Sequence, residues 1–131
     1  TGAAVFDADG DGRLELLVAH GESGAQPMSL YRWANNDNNY LRVLPKTKHG
    51  APARGAVVEV VTANKTHVRS IDAGSGYLCQ MEPVAHIGLG SLTVVERITV
   101  TWPDGVQAVI ENVSANQMLV VDYGDAHNQG Q

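Results

Sequence analysis

A single cysteine, Cys79, stands in a chain of 131 residues, so no disulfide forms within it and no cysteine-built zinc site is available. Long apolar runs are also missing. None approaches the roughly 20 residues that a membrane-spanning helix needs, and none carries the flanks of a signal peptide, so the chain as given reads as a soluble piece. No segment repeats its apolar residues with a period of 3.6, which removes the amphipathic helix from the vocabulary. What remains is a balance of 44% hydrophobic and 18% charged residues, that of one globular domain, or one domain with an appendage. The formal charge is −5, and a single acidic stretch accounts for −4 of it, leaving −1 for everything else. No nucleic-acid partner is expected of such a chain.

That stretch is DADGDGRLE, Asp7 to Glu15. Asp7, Asp9 and Asp11 fall at loop positions 1, 3 and 5, Arg13 can offer its backbone carbonyl at 7, and Glu15 brings a carboxylate at 9. This is an oxygen cage for a hard divalent cation. A flexible carboxylate-rich loop suits calcium better than magnesium, which demands a tight octahedron. An EF-hand would need glutamate at position 12, where this chain has Val18 inside an apolar run. The flanks AAVF and LELLVA are short and rich in strand formers, so the expected setting is the turn of a β-hairpin binding Ca2+. A plain Asp-Gly turn is the alternative, but it has no need of four mutually repelling carboxylates.

Thr1 to Trp33 reads as three strands, AAVF, LELLVA and MSLYRW, too few to bury both faces of a sheet. ANNDNN, Ala34 to Asn39, marks a boundary. Beyond it YLRVLP, GAVVEVVTA, THVRSIDA, GSGYLCQMEP, AHIGLG, VVERITVTW, VQAVIENV and QMLVVDY read as strands. Asn64-Lys65 forms one turn, and Pro103-Asp104-Gly105 another, with proline presetting the first corner and glycine accepting positive φ. In VVERITVTW the alternation sets Val95, Arg97, Thr99 and Thr101 against Ile98, Val100 and Trp102, with Trp102 on the core side. Cys79, among apolar neighbours, is expected in the core. The polar tail after Tyr123 is expected to fray. The fold class is all-β: an antiparallel β-sandwich over 35–124, preceded at 1–34 by a small sheet with the calcium hairpin and followed by a tail at 125–131.

Several groups bear on function. Arg42, Lys46, Lys48 and Arg54, with His49, form a locally basic run that fits an anionic glycan or an acidic partner, or is simply a solvated face. Asn64-Lys65-Thr66 and Asn112-Val113-Ser114 are N-glycosylation sequons and, with a weak calcium loop, suit an extracellular setting. No catalytic constellation emerges. Ser75 in GSG lacks the strand-to-helix context of a nucleophile elbow, and Gly88 to Gly90 is too short for a nucleotide fingerprint. His67 reads as a surface histidine, and His86 as a structural imidazole bonded to backbone or to Tyr77.

Two resemblances add to this. The first 33 residues resemble a piece of an FG-GAP repeat, the blade unit of calcium-binding β-propellers, with Glu15 where that pattern usually has aspartate. GSGYLCQMEPVAHIGLG followed by ITVTWPDG resembles the ASPIC and UnbV domain, and the two together are similar to the cartilage acidic proteins. The resemblance implies a secreted, non-enzymatic, calcium-binding module for extracellular protein contact. Its partners would be matrix components or a cell-surface receptor of the Nogo-receptor type, with the partial blade packing on the downstream domain or pairing with a second copy. The alternatives are a carbohydrate-binding module using Trp102, Tyr77 or the basic run, and a hydrolase built around His86.

Overall fold

The computed structural model describes residues 2–21, 24–34, 36–72, 74–75, 79–123 and 125. Among them it forms strands and turns and no α-helix: β1 (Gly2–Phe6), β2 (Glu15–Ala19), β3 (Ser29–Tyr31), β4 (Asn39–Pro45), β5 (Val57–Val61), β6 (Thr66–Ser70), β7 (Ala85–Gly90), β8 (Val94–Thr101), β9 (Gln107–Ser114) and β10 (Gln117–Val121). These fall into two units. One comprises Thr1–Asn36 with Ala73–Glu82, the other Asp37–Asp72 with Pro83–Gln131.

In the first unit β1, β2 and β3 make an antiparallel sheet in that order, with Phe6 paired to Glu15 at the mouth of the acidic turn. The third strand is shorter than the run MSLYRW suggests. It stops at Tyr31, and Arg32 instead reaches the turn, its Nη2 3.0 Å from Asp9 Oδ2. Three strands leave apolar side chains uncovered, as expected of so small a sheet: Met28, Leu30, Tyr31 and Trp33 are all exposed. Of the stretch read from sequence as a bent strand around Cys79, the described part is not one. Cys79 to Glu82 lie in no strand and group with this unit, where Met81 Sδ accepts the Val5 N–H at 3.1 Å. A short apolar run bounded by glycine and proline has the same periodicity whether it pairs or merely covers a neighbour. Cys79 itself is half-buried rather than enclosed in the core. Tyr77 and Leu78 lie outside the described residues, as does most of the tail.

The second unit is a sandwich of two sheets, β10-β4-β7 and β6-β5-β8-β9. Leu41, Val43, Ile87 and Val121 from the first sheet and Val58, Val60, Ile98 and Val100 from the second are fully buried in one core. The strand GAVVEVVTA alternates as its sequence demands, with Val58 and Val60 inward. Two departures from the expected pattern have local causes. Val95, assigned by alternation to the outer face, is buried, as is Val113 opposite it. Between them and the pair Arg97 with Glu111 sits Asn112 at φ 54°, a left-handed residue beside which the ladder changes which parity faces the core.

The sandwich is also not wholly antiparallel, because β10 runs parallel to β4, from Gln117 beside Leu41 to Val121 beside Pro45. Only Ala115 and Asn116 separate β9 in one sheet from β10 in the other. Asn116, at φ 59°, makes that crossing. Its N–H donates to Tyr40 O at 2.7 Å, its Oδ1 accepts the Tyr40 N–H at 3.2 Å, and its Nδ2 donates to Asn39 Oδ1 at 2.7 Å. Asparagine tolerates this backbone and has the short amide that can pin a neighbouring strand.

Candidate metal centre

The β1–β2 turn is held by its own carboxylates. Asp7 accepts the Gly10 N–H on Oδ1 at 2.8 Å and the Gly12 N–H on Oδ2 at 3.0 Å. Glu15 Oε2 accepts the Ala8 N–H at 2.8 Å, and Asp9 Oδ1 that of Asp11 at 3.3 Å. Gly10 and Gly12, at φ 78° and 84°, allow the chain to wrap around these acceptors. As a result Asp7, Asp9 and Glu15 each bring an oxygen within 4.8 Å of the others. Glu15 is only 2% exposed, and a carboxylate so placed needs a positive partner to offset its desolvation. Arg32 supplies part of that charge, with Nε 4.0 Å from Glu15 Oε1.

The donor set fits a hard divalent cation: three carboxylates, all oxygen, in a turn that can adjust. Asp7, Asp9 and Glu15 are the residues that would hold it. Asp11 is turned away in this arrangement. Its Oδ2 lies 3.1 Å from Arg13 Nη1 and its Oδ1 accepts the Arg13 N–H at 2.8 Å, while Arg13 Nη2 also donates to Asn36 O at 3.2 Å. Of the four carboxylates that spacing suggests, three therefore converge and Asp11 pairs with the Arg13 side chain and N–H, a pairing that does not engage the Arg13 carbonyl, the donor expected of that residue. Arg32 lies against these carboxylates without any sequence signal for it, because no spacing rule links it to a turn 17 residues or more away in sequence.

In the second unit the turn Trp102-Pro103-Asp104-Gly105 forms as its residues dictate, with the Gly105 N–H donating to Trp102 O at 2.9 Å and Gly105 at φ 87°. Trp102 is buried, 3% exposed, and its Nε1 donates to Lys46 O at 2.9 Å while its ring meets Tyr123 edge-on at 5.4 Å. Tyr123 donates its hydroxyl to Asp104 Oδ2 at 2.6 Å. That hydrogen bond holds the Asp104 carboxyl below its usual range and raises the Tyr123 phenol above its own. On β7, His86 stacks on Tyr40 with ring centres 6.1 Å apart and planes 6° from parallel. The ASPIC and UnbV family model matches residues 46–128, from the loop beneath Trp102 through these strands. The chain belongs to the ASPIC and UnbV family.

Cartilage acidic protein 1 of Homo sapiens is 52% identical to it over 120 residues, 90% of this chain and 18% of the relative. The same protein of Xenopus tropicalis is 56% identical over 107 residues, 80% and 16%, and that of Mus musculus 52% over 120 residues, 90% and 18%. The chain thus spans less than a fifth of the length of these curated relatives.

Within this ASPIC and UnbV chain the basic run separates. Lys48 and Arg54 are exposed and Lys46 half-buried, but Arg42 is 6% exposed and drops out of any surface patch. It sits on β4, the central strand of its sheet, where Leu41, Arg42 and Val43 are buried in succession, so alternation no longer reports solvent. Lys48 and His49 border a cleft of about 290 Å3 floored by Trp102, Pro103 and Tyr123. A buried Trp102 is a wall of that cleft rather than an open stacking platform. A second, more polar groove of about 280 Å3 runs between the β5–β6 turn and the end of β7. The sequon residue Asn64 lies beside it in the turn, whereas Asn112 lies within β9.

Proposed function

We propose that this chain is part of a secreted, non-enzymatic module for extracellular protein contact, and that the β1–β2 turn binds calcium as a structural ion. The observation that carries the extracellular reading is the identity of more than half to cartilage acidic protein 1 across most of the chain. Calcium is supported by the convergence of Asp7, Asp9 and Glu15, with Glu15 buried. When bound, the ion neutralises the three carboxylates. The chain's own contribution is the turn: glycines and backbone N–H groups fix the carboxylates, and β1 and β2 are thereby kept in register. The exposed apolar residues of β3 and its flanks, among them Leu30, Tyr31 and Trp33, fit a blade that is completed by further strands or by a second copy. Among the described residues no helix is long and apolar enough to cross a membrane.

The partner is a matrix component or a cell-surface receptor of the Nogo-receptor type. The test is capture of such receptors, and of cartilage matrix, by the tagged chain with 2 mM calcium, about the extracellular level, and with excess EGTA. Calcium-dependent capture that Asp9→Ala abolishes supports the reading. Equal capture in both conditions refutes the part assigned to calcium, and no capture from either source refutes the partner class.

A further inference from the structure

We propose that Asn64, and not Asn112, carries an N-linked glycan, and that its first N-acetylglucosamine lies in the groove beside the β5–β6 turn. This rests on the extracellular reading above, since the modification occurs only on chains that enter the secretory pathway. In the transfer the Asn64 side-chain nitrogen attacks C1 of a lipid-pyrophosphate-linked oligosaccharide. The C1–O bond breaks, a C1–N bond forms, and the amide proton leaves as the pyrophosphate lipid departs.

The two sequons are equal as sequence and unequal in the fold. Asn64 sits at the tip of a hairpin closed by the Thr62 N–H donating to Lys65 O at 3.0 Å, and Asn64, Lys65 and Thr66 are all exposed. A transferase can engage this tripeptide however early the hairpin forms. In Asn112-Val113-Ser114 the outer two residues are exposed as well, but the tripeptide is part of β9: Val113 is 8% exposed in the core, and Ser114 pairs with Val94. Once the sandwich has closed over Val113, that tripeptide is held in the β8–β9 ladder and cannot be drawn out.

The groove gives the sugar a seat. It is at the small end of ligand-sized pockets, room for one ring rather than a chain. Gly88 and Gly90 line it, and nothing lies within 4 Å of where a Cβ on either would stand. Leu92 offers an apolar surface for the ring and its acetyl methyl, while Lys65 and Ser91 offer donors to its oxygens. His67, also in the wall, has its pKa lowered by burial and by Lys65 and Arg69, so at neutral pH it meets the sugar as an uncharged donor or acceptor.

The experiment is secretion of the full chain from animal cells behind a cleavable signal sequence, followed by intact mass before and after peptide N-glycosidase. One glycan is expected, lost in Asn64→Gln and kept in Asn112→Gln. A glycan on Asn112, or on neither, overturns the site. Trimming to the first sugar with an endoglycosidase is expected to leave the melting temperature above that of Asn64→Gln. Gly88→Val, which fills the groove, is expected to erase that difference while leaving the unglycosylated protein unchanged. The same difference with and without Gly88→Val overturns the seat. Protein from the native tissue that is bare at Asn64, beside secreted protein that is glycosylated there, upholds the site and counts against the extracellular reading alone.

Discussion

If the β1–β2 turn binds calcium as proposed, Arg32 must compete with it, and removing Arg32 should tighten the site. Its guanidinium lies 3.0 Å from Asp9 and 4.0 Å from Glu15, two of the three converging carboxylates, with its side chain 59% exposed. An ion pair so exposed is worth about 0–1 kcal/mol. Calcium must displace or share that pair, so Arg32→Gln should lower the calcium dissociation constant by up to about fivefold, the equivalent of 1 kcal/mol. Removing a cation from beside a cation acts in the same direction. Asp9→Asn should do the opposite: losing a charged contact of about 1.5–3 kcal/mol weakens binding roughly tenfold to a hundredfold. Calorimetric titration of calcium into EDTA-stripped protein at low and high salt measures both, and the gain from Arg32→Gln should shrink as salt screens the exposed guanidinium. Without calcium, Arg32→Gln should melt earlier than the parent, since Asp9 and Glu15 then face each other uncompensated. Calcium should restore it. Weaker calcium binding by Arg32→Gln, or unchanged binding by Asp9→Asn, would refute this account of the turn.

Ile98→Ala, at a fully buried position of β8, should cost about 2–5 kcal/mol in denaturant unfolding with an unchanged m-value, and a loss under 1 kcal/mol would mean that the two sheets do not share the core described. Asn116→Ala removes the side-chain bonds to Tyr40 and Asn39 and places alanine at positive φ. A loss of about 2–4 kcal/mol is expected, and Asn116→Gly, which relieves only the backbone, should recover part of it. Tyr123→Phe should flatten the pH dependence of melting at both ends. The lowered Asp104 pKa gives stability that is present above the ordinary carboxylate range and lost as pH falls through the folded value, and the raised Tyr123 pKa gives stability lost as pH climbs past about 10. Identical pH profiles for the two proteins would sink that assignment.

The features legible in the sequence are those whose causes are local. Asp7, Asp9 and Glu15 could be grouped because a tight turn leaves odd-numbered carboxylates few places to go. The Pro103–Gly105 corner and the Val58/Val60 face likewise depend on residues a few positions apart. What depends on distant pairing was hidden. Arg42 has the parity of a solvent-facing residue, and only the folded strand shows it buried between Leu41 and Val43. Arg32 reaches Asp9 from 23 positions away, and no motif announces it. The parallel placement of β10 turned on Asn116, whose ordinary appearance in SANQ conceals a crossing between sheets.

That crossing sets the order in which the sandwich can close. β4 is central in its sheet, yet one of its neighbours is β10, the last strand among the described residues, 76 residues onward at the Leu41–Gln117 pair. Until synthesis has passed Val121, β4 presents a bare edge rich in leucine and valine, the kind of strand that pairs with the wrong chain. A ribosome translating this protein therefore holds an adhesive strand in waiting from Pro45 onward, and the two-residue link at Asn116 is what delivers its cover.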